Sequence, residues 1–205
     1  MNRPLADLVR RCLEPVPDSR MAAMAEELLG DIAPDFLRNH CYRSYSWAVA
    51  LADIDDVSFD SEILYVSALL HDIALLPEFD AGGCFEADGA EAARKLAVEA
   101  GAARERADAV SYAIASHMNP DETVPTAPEA FLLWQSTGTD VSGYRLDAVP
   151  GDVIGKVLDA RPRLDFKERF AALFAVEARR KPACRVAEMM RSGFAERIFA
   201  APFDS

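Results

Sequence analysis

The stretch Leu69–Leu75, LLHDIAL, sets a histidine and an aspartate side by side at the end of an apolar run. Ile63 to Leu70 before the pair and Ile73 to Leu76 after it read as core. Burial alone does not account for two ionisable, metal-competent side chains there, because a buried charge is costly unless paired or bound to a metal. Neighbouring residues on an α-helix point about 100° apart. His71 and Asp72 can therefore share one ion only near a helix end, and the loop beginning at Pro77 allows the chain to turn there.

Working outward, the rest of the chain also reads as helices. Asp18 or Ser19 caps a helix with Met21, Met24 and Leu28 on its inner side and Gly30 as its stop. From about Pro34 to Ala52, Phe36, His40, Arg43 and Trp47 recur at spacings of 4, 3 and 4, which is one helical face. The apolar helix of the opening stretch runs from Ser61 to Ile73. The next has Phe85, Ala92, Leu96 and Val98 as inner positions, and another runs on through His117 to Pro120. Thr126 and Glu129 have the spacing of a capping box. Further helices are expected near Asp152–Asp159, Asp165–Arg180 and Cys184–Ala200, with a corner at Pro162. No segment alternates with period two long enough to suggest a sheet, so the expectation is an all-α bundle of about eight to ten helices.

The 205 residues are 51% hydrophobic and 27% charged, which fits one domain able to bury its own core. With 34 acidic against 22 basic residues the formal charge is -12, a field that repels nucleic acid. No apolar run reaches the roughly 18 residues of a membrane span, and the first residues do not read as a signal peptide, so a soluble, cytoplasmic protein is expected. Cys12, Cys41, Cys84 and Cys184 lie far apart with no C-x-x-C pair, a pattern that suits reduced thiols.

The chain has 3 histidines, His40, His71 and His117, each in or at the end of an expected helix. Asp140 shares a face with Leu133, Ser136 and Thr137, so it points inward. Imidazoles and carboxylates converging on one cavity suit a divalent transition metal, with iron, manganese, cobalt, nickel and zinc all compatible.

The order His40, His71-Asp72, Asp140 resembles the H…HD…D pattern of the HD superfamily of metal-dependent hydrolases, with gaps of 31 and 68 residues. The pieces NHCYRSY (39–45), LLHDI (69–73), FEADGAEAARKL (85–96), AIASH (113–117) and LLWQSTGTDVSG (132–143) are most similar to the cyanamide hydratase-like branch. The resemblance implies a single-domain HD-type bundle with its motif core at 30–145 and a C-terminal helical extension, 146–205, packed on it. It implies that His40, His71, Asp72 and Asp140 bind one divalent ion. His117 would help hold a second ion or contact substrate, and Glu86 could join it.

Many phosphohydrolase members continue HD-x-x-K, and Leu75 stands at that lysine position here. The implied chemistry is attack by metal-activated water on a small molecule, with Asp72 and His117 as catalytic groups. The substrate is a cyanamide- or nitrile-like compound on one reading and a nucleotide or other phosphate ester on another. A third reading, from a different class, is a non-catalytic helical module that binds metal structurally.

Arg43, one turn after His40, could reach a substrate oxygen or pair with an acidic neighbour. Glu86 could support a histidine, contact substrate or simply suit the first turn of its helix. Gln135 is a candidate cavity residue. Tyr45, Trp47 and Trp134 read as core or cavity wall, and Cys41 points away from His40. The phenylalanines of the C-terminal helices, Phe170, Phe174, Phe194 and Phe199, could close the core or form the face of a homo-oligomer.

Overall fold

Helix α3 (Asp35–Asp55) is the axis of the structure, buried from Phe36 to Ala52 on nearly every side. A helix enclosed in this way must be covered all round by others. In the computed structural model, which describes residues 5–13, 16–121, 123–124 and 127–204, that cover comes from α1 (Leu5–Leu13), α4 (Ser61–Leu70), α7 (Pro128–Ser142), α8 (Gly151–Ala160) and α9 (Phe166–Arg180). Helices α2 (Arg20–Ile32), α5 (Phe85–Glu99) and α6 (Arg104–Ser116) pack on or beside α4. Helices α10 (Arg185–Arg191) and α11 (Phe194–Ala200) pack on α9. The described residues contain eleven α-helices and no strand. None of these helices is long and apolar enough to cross a membrane.

The all-α expectation holds, with two more helices than those read individually from the sequence. One is α1. The other arises because Cys184–Ala200 breaks at Ser192 and Gly193, whose φ of 80° suits glycine. Gly30 does not stop α2, which continues to Ile32. Ser19 caps that helix, its Oγ accepting from the Ala22 N–H at 3.1 Å. Val98 is 51% exposed, and the inner face of α5 is made by Phe85, Gly89, Ala90, Ala93, Leu96 and Ala97. Thr126 lies outside the described residues. Ala127 precedes α7, and Glu129 accepts from the Asp60 N–H at 2.6 Å, joining the starts of α7 and α4.

The cysteine reading needs correction. Cys84 and Cys184 form a disulfide with their Cα atoms 5.5 Å apart, while Cys12 and Cys41 are free and buried. Distance along the chain gave no hint of the pairing. Each bonded cysteine is the residue just before a helix, α5 or α10, and the fold brings those two starts together. The corner at Pro162 is as expected: Leu164 and Asp165 have φ of 57° and 59° and turn the chain into α9.

Candidate metal centre

Helix α4 is buried from Ile63 to Leu70, so its end is held rigidly. His71 keeps helical angles, while Asp72, at φ -109° and ψ 6°, lies in the sparsely populated bridge region and leads into a 3-10 turn, Ile73–Leu75. This departure from the helix brings two consecutive side chains to one point. His71 Nε2 lies 3.2 Å from Asp72 Oδ2. From α3, His40 Nε2 reaches within 3.2 Å of His71 Nε2 and 3.4 Å of Asp72 Oδ2.

The partners of the opposite ring nitrogens decide what faces the centre. His71 Nδ1 is 2.8 Å from the Ala68 carbonyl and His117 Nδ1 is 2.6 Å from that of Ile114. A carbonyl can only accept, so each Nδ1 carries its ring's proton. His40 Nδ1 donates to Asp140 Oδ2 at 2.7 Å. In the neutral rings, Nε2 lone pairs therefore point inward beside Asp72, both of whose oxygens are buried without a hydrogen-bond partner. Burial alone would lower the pKa of His71, but the adjacent Asp72 outweighs it and pushes the pKa well above the ordinary value. Burial works against the Asp72 charge, yet His71 and His40 hold its carboxyl below the usual range. The Asp72 carboxylate thus draws a positive charge to this point, which a proton on His71 supplies when no other cation is there.

A divalent cation can supply that charge instead. An ion about 2.0–2.2 Å from nitrogen and oxygen ligands sets those ligands roughly 3.0–3.4 Å apart. The three separations of 3.2, 3.4 and 3.2 Å fit that spacing. His40, His71 and Asp72 thus form a fitting donor set of two imidazoles and one carboxylate.

The structure places Asp140 elsewhere than the expected fourth ligand position. Its oxygens receive Arg43 Nε and Nη2 at 2.7 and 2.8 Å, Trp47 Nε1 at 2.8 Å and His40 Nδ1 at 2.7 Å. It sits on the far edge of the His40 ring from the Nε2 that faces the centre. This is the carboxylate–histidine support that orients a metal-binding imidazole. Burial opposes the charge on Asp140, but Arg43 and Arg163 hold its carboxyl well below the ordinary value.

Arg43 consequently does not line the cavity beside His40, His71 and Asp72. It is fully buried, chelates Asp140, and donates from Nη1 to the carbonyls of Arg161 and Pro162 at the chain corner. Gln135 Oε1 accepts from Arg145 at 2.5 Å, and Arg145 also holds Asp55, outside the metal cavity. Glu86 has a raised pKa, from burial first and then the charge of Glu177; it belongs with Glu177, Lys181 and Arg185. It does not join His117 in a second donor group, and the described residues bring together one such group. Cys41 is buried, and burial pushes its thiol up, which suits an inert residue.

A cavity of about 210 Å³ opens onto His40, His71, Asp72 and His117. His117 Nε2 lies 3.8 Å from Asp72 Oδ1, and burial together with the His71 charge lowers its pKa to about 4, leaving it neutral near pH 7. Trp134, Thr137 and Tyr144 line one side; Phe170, Phe174, Met189 and Phe194 line the other. Sequence reasoning had Trp134 as a possible wall and the phenylalanines only as apolar positions. For Met189 it offered no signal.

Residues 37–149, over half of the chain, match the HD domain model. Two curated relatives in Saccharomyces cerevisiae (strain ATCC 204508 / S288c), cyanamide hydratase DDI2 and cyanamide hydratase DDI3, are each 29% identical over 177 residues, covering 84% of this chain and 79% of theirs. The matched segment contains all but the first two residues of α3, the end of α4 and α7, the helices that carry the candidate donors and the carboxylate behind them, and the chain belongs to the HD domain family.

Proposed function

We propose that the chain is a metal-dependent hydrolase of the HD type that adds water to a small, uncharged carbon–nitrogen compound of the cyanamide or nitrile kind. The observation that carries this reading is the convergence of His40 Nε2, His71 Nε2 and the unpartnered Asp72 carboxylate at the floor of a small, largely apolar cavity. No lysine or arginine is among the described residues lining it, and Leu75 stands where a phosphate-binding lysine is common, so a phosphate ester finds no cationic side chain there. A volume of about 210 Å³ is below the roughly 300–1,000 Å³ of drug-sized sites and suits a molecule of a few heavy atoms. The names of the yeast relatives support the same substrate class.

His40, His71 and Asp72 would hold the ion, with first-row divalent metals from manganese to zinc as the candidates. When bound, such an ion supplies an activated water, its pKa lowered from 15.7 to roughly 7–9. Asp140, backed by Arg43 and Trp47, fixes the tautomer and orientation of His40. His117, neutral and within 3.8 Å of Asp72, is placed to take the proton of the attacking water and return it to the substrate nitrogen. The apolar walls exclude bulk water.

Cyanamide supplied to metal-loaded protein is expected to yield urea, while a nucleotide panel releases no phosphate. Asp72→Asn should lower turnover by ~10³-fold and reduce bound metal measured by elemental analysis. Phosphate release without urea would reverse the substrate assignment. Purified protein without metal, together with an Asp72→Asn variant altered only in stability, would end the enzyme reading.

A further inference from the structure

The family match ends at residue 149, yet one whole side of the metal cavity comes from beyond it. Phe170 and Phe174, buried on α9, form the deep wall, with the Phe170 ring 5.3 Å from that of His40. Met189 on α10 and Phe194 on α11 are half-buried and form the rim facing Trp134 and the exposed Tyr144 on or beside α7. The entrance thus has one jaw from the HD core and one from the C-terminal helices.

The second jaw is held at its far end by Lys167 Nζ, which donates to the carbonyls of Phe199 and Ala201 at 3.3 and 2.8 Å, and is fastened covalently at its near end. Cys184, just before α10, is bonded to Cys84, just before α5. The next residue along α5, Phe85, packs its ring against His117 at 5.7 Å and Phe174 at 5.8 Å. The bond therefore joins the base of the rim helices to the helix that supports the cavity histidine. Beside it Lys181 pairs with Asp80 at 2.9 Å and Glu177 at 2.8 Å, and Arg180 also pairs with Asp80. These ion pairs fasten α9; the disulfide is the covalent tie at α10.

We infer that Met189 and Phe194 set the size of substrate admitted to the metal centre, and that the Cys84–Cys184 bond is the clasp that keeps this jaw closed. The inference rests on the proposed function for its substrate class, and on the cavity alone for its mechanics. Opening the clasp needs a two-electron reductant such as a dithiol. One of its thiolates attacks a cysteine sulfur, the Cys84–Cys184 bond breaks, and the two cysteines leave as thiols while the reductant closes to its own disulfide. Cys84 is half-buried, which leaves an approach for the reductant. The ion pairs and the Phe170–Phe174 wall remain, so the change falls on the rim.

The test uses zinc-loaded protein and two readouts: zinc extraction by 1,10-phenanthroline, and the relative kcat/KM for benzonitrile and cyanamide. Cys84→Ser/Cys184→Ser should speed extraction about fivefold or more, as should wild type reduced with a phosphine. Met189→Ala should raise the benzonitrile-to-cyanamide ratio about tenfold, whereas Phe199→Ala, at an exposed position outside the cavity, should leave it unchanged. Unchanged extraction in natively folded, clasp-free protein overturns the clasp. An unchanged ratio in Met189→Ala overturns the size limit, as does a Met189→Ala protein that folds but extracts at the wild-type rate when no nitrile is turned over. If wild type turns over neither nitrile, the proposed function fails while the extraction rates still judge the jaw. If the double variant does not fold, the reduced wild type gives the reading.

Discussion

At the scale of single residues, the chemistry depends on which nitrogen of each histidine faces the centre. Asp140 settles this for His40, and its own charge is held by Arg43 and Trp47 in full burial. Asp140→Asn keeps the shape but removes the charge. It is expected to weaken metal affinity by about 10–100-fold, because the three donors remain while the support of one is lost. It also leaves the Arg43 guanidinium buried without its counter-charge, a loss of roughly 3–5 kcal/mol. Metal competition titrations and urea unfolding measure the two effects separately. Complete loss of metal with unchanged stability would mark Asp140 as a direct ligand. Helical spacing made legible that His40 and Asp140 face inward, and the resemblance of the H…HD…D order to the HD superfamily implied that they belong with His71 and Asp72. Neither could show which edge of the His40 ring Asp140 approaches, or that Arg43 is occupied by that carboxylate, since both depend on distances of a few ångströms between helices.

Among the elements, the end of α4 and the α9–α10 junction matter most. The first was readable in part: an adjacent His-Asp pair can share one ion only near a helix end, but the helix expected to reach Ile73 stops at Leu70, because Asp72 leaves the helical angles and leads into a 3-10 turn. The second was not, because the approach of Cys84 to Cys184 is created by packing that leaves no periodic trace. Their bond closes a loop across a sequence separation of 100, for which the chain-entropy model gives ~4.7 kcal/mol and measured cases more often 2–4 kcal/mol. Cys84→Ser/Cys184→Ser should accordingly lower the Tm by on the order of 10 °C in a calorimetric scan.

The neighbouring ion pairs add a pH dependence. The ion pair with Lys181 holds Asp80 down from its ordinary 3.8 to about 2. A carboxyl depressed by folding stabilises the protein fully above the unfolded pKa and progressively less as the pH falls from 3.8 towards 2. Asp80→Asn should flatten the loss of stability over that window in acid-unfolding curves. A curve parallel to wild type would show that Asp80 takes no part in it.

For the molecule as a whole, one hydrophobic cluster extends from Leu8 to Ile198, so the matched HD segment and the helices after it share a core. The all-α class was evident from helical periodicity throughout, whereas the cavity was not, because its two sides come from segments far apart in sequence. The support of His40 by Asp140 joins residues 100 apart, and Arg43 and Trp47 reach the same carboxylate across 97 and 93. A chain is made from its N-terminus, so both imidazoles and the Asp72 carboxylate emerge 68 residues before the group that fixes the first imidazole. Until α7 docks on α3, any ion captured by the nascent chain would sit on a ring free to turn and would exchange readily with its surroundings. Durable loading would therefore be a late event of folding, timed by the arrival of a residue that need not touch the ion.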